Sequence, residues 1–207
     1  MNDELKISYP FITPIWYCSF PNFRDYKEQF IKVVKEFRKN NPTIQKSNIG
    51  GGYQSPFGLM KQQPLSPLYD YILDQSVKIC EQLNISDIDI GISGSWVNFN
   101  DTRSASNILH NHEGILSGIF YLNIPENSGK LILQNPGMNT LWDGFKFVHT
   151  RNEITGELTN ITPIEGDIII WPSYLNHGVH PNNHDDERIS IAFNVSGIPS
   201  KRENYER

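Results

Sequence analysis

The stretch LHNHEG places His110 and His112 two residues apart, with Glu113 immediately behind. On a β-strand, residues two apart point to the same face, so both imidazoles can aim into one cavity. Such a pair is half of a metal site, and a third ligand from a distant strand would close a facial triad. His177, in LNHGVHPN, is the best-placed candidate. His180 has the opposite parity, His184 sits in the acidic turn NNHDDE where solvent is expected, and His149 in WDGFKFVHT reads as structural. Three imidazoles suit iron, zinc, copper or nickel. Three ligands on one face leave coordination positions open, as catalytic sites do. For H-x-H alone, hydrogen-bonded core histidines are the competing reading.

Beyond His177 comes ERISIAFNV, in which Arg188 and Ser190 share one strand face. An inward arginine among Ile, Ala, Phe and Val needs an anion, because an unpaired buried charge is costly. Its forked guanidinium matches a carboxylate. The partner is either a ligand or a protein acid such as Glu187.

The elements that must carry these residues are legible in the periodicity. Tyr26, Phe30, Val33, Val34 and Phe37 recur at helical spacing in FRDYKEQFIKVVKEFRKN, and Asn40-Asn41-Pro42 ends that helix. A second helix follows Ser66-Pro67, with Ser66 expected at the N-cap, and runs through LYDYILDQSVKICEQL. Between them, SNIGGGYQSP reads either as a flexible loop or as a lid that presents Tyr53 and Gln54 to a substrate. From residue 92 the period becomes two. Strands are expected over 95–100, 107–112, 115–123, 130–134, 161–163, 167–171, 177–180 and 188–195, punctuated by PENSG, NPGMN, EGD and PNNHDD. DIIIWP is apolar without alternation, as in a strand covered on both faces. Eight short strands indicate a sandwich or jelly roll. Trp96 and Asn98 share a face of the first of them and are expected to line the pocket, whereas Trp171 and Phe193 read as core.

The bulk numbers exclude several classes. A chain of 207 residues suits one domain, 38% hydrophobic and 12% aromatic content is well above a disordered composition, and a net charge of -5 disfavours nucleic acid. Cys18 and Cys80 form neither a C-x-x-C motif nor a zinc framework. MNDELKISYP has no apolar signal-peptide core and no run of 18 apolar residues occurs, so a cytoplasmic protein without a membrane span is expected.

H-x-H, a distant histidine and then R-x-S, all in a β pattern that starts late, resemble the Fe(II)/2-oxoglutarate-dependent oxygenase superfamily. The phrases NILHNHEGILSGIFYLN, GDIIIWPSYLNHGVHPN and ERISIAFNV are similar to the prolyl 4-hydroxylase-like 2-oxoglutarate-Fe(II) oxygenases of bacteria and phages. The resemblance spans roughly residues 93 to 196 and reaches weakly into GGGYQS. It implies a mainly β fold, a double-stranded β-helix or jelly roll with the N-terminal helices packed on one sheet. The chain would be one domain over 1–207, with a helical preface and substrate-side loops over 1–91, the jelly-roll core over 92–196 and a tail over 197–207. It implies Fe(II) on His110 and His177, and 2-oxoglutarate as cosubstrate with its distal carboxylate on Arg188, beside Ser190 and Tyr121. Ascorbate would stimulate.

The superfamily's usual H-x-D or H-x-E is missing. His112 stands at the carboxylate position, so either it is the third ligand, or Glu113 takes that role through a bulge. Asp101 is a weaker alternative. The implied reaction hydroxylates an unactivated C–H bond, of a peptidyl residue such as proline or of a small molecule, and releases succinate and carbon dioxide. Trp96, Asn98, Tyr53 and Gln54 are the expected pocket residues. Two rival readings are a cupin-like metalloenzyme that does not use 2-oxoglutarate, which would not need Arg188 at this offset, and a non-catalytic jelly-roll binding module.

Overall fold

The computed structural model describes residues 12–44, 46–86, 88–137 and 156–199. His149 and most of the 137–160 insertion lie outside the described residues. In chain order the elements are β1 (Trp16–Ser19), α1 (Phe23–Asn40), β2 (Asn48–Ile49), β3 (Tyr53–Gln54), α2 (Ser66–Gln82), β4 (Ile88–Asn100), β5 (Ser106–His110), β6 (Leu116–Asn123), β7 (Leu131–Gln134), β8 (Leu158–Ile161), β9 (Asp167–Pro172), β10 (His177–Val179) and β11 (Arg188–Pro199).

The strands form two antiparallel sheets. One has the order β1-β9-β6-β11-β4-β3 and the other β2-β5-β10-β7-β8. This is the expected β-rich double-sheet fold, with both helices on the six-stranded sheet, where α1 contacts β6 and α2 contacts β4.

α1 occupies the predicted span, and Asn41 leaves helical geometry in the residue before Pro42. α2 begins differently from expectation. Ser66 is already helical, and Leu65 occupies the cap without a side-chain bond. The reason is the 3-10 turn Gln63–Leu65, which runs straight into the helix and leaves no separate cap residue. Several strand limits also differ. β4 starts at Ile88 and β11 continues to Pro199, because the two pair along their whole length past a bulge at Asn194/Val195. The boundaries expected at residues 92 and 197 therefore fall inside paired strands. β1, absent from the sequence reading, pairs with β9.

SNIGGGYQSP is neither a free loop nor a lid. Asn48–Ile49 pairs with β5, and Tyr53–Gln54 pairs with β4, so the glycines carry the chain from one sheet to the other. Asn48 donates to the Gly52 carbonyl at 2.8 Å and Thr102 to the Gly50 carbonyl at 2.9 Å. Gly50 has φ 72°, and a Cβ there would meet the Ser104 carbonyl oxygen at 2.2 Å.

The six-stranded sheet has two contrasting faces. Val97, Phe99, Phe120, Leu122, Ile189, Ile191 and Phe193 pack with Phe20, Phe30, Leu68 and Ile72 in one cluster under the helices. The alternate residues of the same strands face the five-stranded sheet, where Ile119, Tyr121, Leu131, Leu133, Ile169 and Trp171 form a second, smaller cluster. Strands covered on both faces lose the hydrophobic-polar alternation, which explains DIIIWP.

Candidate metal centre

His110 closes β5 and His177 opens β10, and antiparallel pairing sets the two opposite each other. Next to His177, Gly178 lets β10 approach β5 closely, since a Cβ there would lie 2.8 Å from the Asn107 carbonyl oxygen. His112 lies beyond the end of β5. It is positioned by its own backbone N–H, which donates to the Ser173 carbonyl at 3.1 Å, rather than by strand alternation. The ligand nitrogens of His110, His112 and His177 all fall within 4.8 Å of one another. Ring centroids are 4.4 Å apart for His110 and His177, 4.9 Å for His110 and His112, and 5.1 Å for His112 and His177.

The rings are oriented from behind. His110 Nδ1 lies 2.8 Å from the Ile108 carbonyl oxygen, and His177 Nδ1 lies 3.0 Å from that of Leu175. Donating Nδ1–H to a carbonyl leaves Nε2 with its lone pair free, the arrangement a metal-binding histidine adopts. The Trp171 indole N–H also approaches His177 Nδ1, at 3.2 Å. A single ring nitrogen cannot donate to Leu175 and accept from Trp171 at once, and the Leu175 bond is the one compatible with a metal on Nε2. Burial holds His177 down to about pKa 3, with further lowering by His110. Burial, then His110 and Lys46, takes His112 to about 4, and burial lowers His110. All three imidazoles are therefore neutral at pH 7, as ligation requires.

Among the described residues, no carboxylate belongs to this group. Glu113 is exposed and outside it. Asp101 is held 2.6 Å from Arg38. His180 hydrogen-bonds Asn160, and His184 accepts from the Asp186 N–H.

On the inner face of β11, Arg188 is completely buried. Its Nη1 donates to Asn100 Oδ1 at 3.2 Å and to Ser190 Oγ at 3.1 Å, while Nε and Nη2 have no partner among the described residues. The internal ion pair considered from sequence does not form, because Glu187 pairs instead with Lys35 at 2.6 Å and Arg38 at 3.6 Å. The Arg188 guanidinium carbon lies 5.6 Å from the Tyr121 ring centroid. Tyr121 Oη is buried without a partner among the described residues. Burial pushes the Tyr121 phenol well up, against the pull of Arg188, so its hydroxyl keeps its proton. Burial also lowers Arg188.

One cavity between the sheets is lined by the three histidines together with Trp96, Asn98 and Ser190. Trp96 meets the edge of His112 at 5.4 Å, and Asn98 Oδ1 is buried without a partner. The other two expected pocket residues lie elsewhere. Tyr53 is a core residue, its ring against Phe99 at 5.7 Å and its hydroxyl on the Asn41 carbonyl. Gln54, opposite Asn98 in the register, is buried but does not line the cavity. The reason in both cases is β3, which fixes the pair in the sheet. Sequence reasoning missed Asn100 as the Arg188 partner and Trp171 as a neighbour of His177. The parity of WVNFN could have found Asn100, since Trp96, Asn98 and Asn100 share one face.

Residues 94–194 match the family described as Putative 2OG-Fe(II) oxygenase. The match runs from β4 into β11 and so covers most of the β core. Solved structures are similar across most of the chain. A Pseudomonas putida prolyl-4-hydroxylase is 13% identical with TM-score 0.61, covering 87% of this chain and 91% of that one. A Trichoplax adhaerens prolyl hydroxylase, in complex with a hypoxia inducible factor oxygen degradation domain peptide fragment, is 15% identical with TM-score 0.61, covering 90% and 84%. The epimerase SnoN, in complex with Fe3+, alpha ketoglutarate and nogalamycin RO, is 13% identical with TM-score 0.63, covering 92% and 88%. At these identities the likeness is one of fold. No curated protein sequence matches the chain. No helix among the described residues is long and apolar enough to cross a membrane.

Proposed function

We propose that this oxygenase couples 2-oxoglutarate to hydroxylation of an unactivated C–H bond in a peptidyl residue such as proline or in a small molecule. The observation that carries the reading is Arg188. A fully buried guanidinium whose Nε and Nη2 lack partners among the described residues presents a ready fork for a carboxylate. Leaving it unpaired costs several kcal/mol, which a bound carboxylate offsets. The Tyr121 hydroxyl, also unpaired, adds a donor beside it. The donor set fits the family's cofactors: three neutral imidazoles for Fe(II), and a buried cation with a phenol for the distal carboxylate of 2-oxoglutarate.

When bound, the iron and 2-oxoglutarate supply the oxidising power, consuming dioxygen, releasing succinate and carbon dioxide and delivering one oxygen atom to the substrate. The chain's own residues hold and orient. His110, His112 and His177 would hold the metal through three clustered nitrogens. Their neutrality leaves the metal's 2+ charge to be balanced by the 2- charge of 2-oxoglutarate. Asn100 and Ser190 hold Nη1 and leave the Nε and Nη2 edge of Arg188 for the carboxylate. Trp96 and Trp171 limit water around the histidines. Ascorbate is expected to stimulate turnover by keeping the iron ferrous.

The test is succinate formation from 2-oxoglutarate by anaerobically purified protein given Fe(II), ascorbate and then air. Succinate should disappear in His112→Ala and Arg188→Ala and persist in Glu113→Ala. Loss in Glu113→Ala with a working His112→Ala would move the third ligand to the glutamate. A wild type that makes no succinate and shows no calorimetric binding of 2-oxoglutarate would overturn the reading.

A further inference from the structure

A chain of aromatic contacts runs from the histidine cluster to the surface. Trp96 lines the cavity and meets His112 at 5.4 Å. Phe57 packs on Trp96 at 5.3 Å and is 53% exposed. The Lys46 ammonium sits 4.5 Å over the Phe57 ring. Gly94 lies beside this stack, where a Cβ would sit in ordinary contact with Phe57 at 3.8 Å and Trp96 at 3.9 Å. Lys46 is exposed, and no carboxylate among the described residues pairs with it; Lys61, in the groove beside Phe57, likewise has none, whereas Lys27, Lys35, Lys39 and Lys78 each have an acidic partner. A chain of net charge -5 thus keeps an uncompensated cation at the outer end of this wall. A groove that includes Phe57, Lys61 and Tyr69 continues outward from it.

Arg188 is completely buried and serves the cosubstrate in the function proposed above. Lys46 is separate from it and accessible. We propose that the cavity mouth selects a substrate with a carboxylate close to an apolar reacting portion, the apolar part packing on Trp96 and Phe57 and the carboxylate pairing with Lys46. The inference rests on the oxygenase reading for calling this ligand the substrate. The carboxylate can come from a small organic acid or from an acidic residue in a peptide.

The test uses full-length protein loaded with Zn(II), which is redox-silent, and saturated with 2-oxoglutarate. Dissociation constants are measured by ligand-observed NMR for two matched pairs. The small pair is N-acetylproline and N-acetylproline amide. The peptide pair is acetyl-Ala-Pro-Glu-amide and acetyl-Ala-Pro-Gln-amide. The carboxylate member of at least one pair should bind about threefold to fivefold tighter, the range of an exposed ion pair. The pair that shows the preference identifies the source of the carboxylate. The preference should vanish in Lys46→Gln, reverse in Lys46→Glu and survive in Lys78→Gln, while Phe57→Ala weakens both members. Equal affinities within both pairs, no binding by either pair at millimolar concentration, or a preference that survives Lys46→Gln would overturn the proposal. Succinate formation by the wild type is scored separately. Succinate without a Lys46-dependent preference refutes this inference alone. A Lys46-dependent preference without succinate or 2-oxoglutarate binding refutes the oxygenase reading and leaves an anion-selective mouth.

Discussion

The two faces of the six-stranded sheet are built from the same strands and obey opposite rules. Under the helices, Phe120 is fully buried against Phe20, Phe23 and Phe30, with ring centroids 5.6 to 6.4 Å apart. The packing there is mostly apolar, and the hydroxyls of Tyr53 and Tyr71 are paired with backbone carbonyls. One residue along, Tyr121 points the other way with an unpaired hydroxyl, next to an arginine with two unpaired nitrogens. The helix-side face stabilises the fold. The cavity-side face gives up stability, and its unpaired atoms are the ones a ligand would satisfy.

That contrast can be broken by mutation. The largest expected effect is on the helix side: Phe120→Ala should cost about 3–5 kcal/mol of stability by leaving a cavity, measured by chemical denaturation. The residual folded protein should keep its affinity for 2-oxoglutarate. On the other face, Arg188→Met should weaken 2-oxoglutarate binding by roughly a hundredfold or more, corresponding to about 3 kcal/mol for a lost charged pair. The ligand-free variant should nevertheless melt at or above the wild-type temperature, since methionine removes an unpaired buried charge. If Arg188→Met instead melts far below wild type, the arginine is structural and the division between the faces fails. The smallest effect sharpens the comparison. Asn100→Asp places a carboxylate against Nη1 and supplies internally what the ligand would bring. Calorimetry should show about a tenfold loss of 2-oxoglutarate affinity, roughly 1.4 kcal/mol, with no loss of stability.

Much of this was legible from residue order. α1 was set by apolar spacing and a proline stop, and the core strands by period-two patterning between turn residues. His110, His177 and the inward parity of Arg188, Ser190 and Tyr121 followed from the same alternation. His112 came near its partners for a different reason from the one expected, since it lies past the strand and is held by the Ser173 carbonyl. The misreadings share a physical origin. β1, β2 and β3 have two to four residues each, too few to show a period, and exist because longer strands offer them edges. Tyr53 and Gln54 could not be placed until those pairings were known. The unpaired state of Arg188 was likewise invisible in the sequence, because Glu187 stands next to it in the chain but points to Lys35 and Arg38.

The crossing made by Gly50, Gly51 and Gly52 does more than change sheets. β2 and β3 are the terminal strands of the two sheets on that side, and each is only two residues long. Without them, β5 and the thirteen-residue β4 would offer open rows of N–H and C=O groups to any extended chain. One short segment blunts both margins at once and presents too little backbone for a further strand to add. The glycines thereby let one segment close one margin of each sheet, leaving β1 and β8 as the opposite edges.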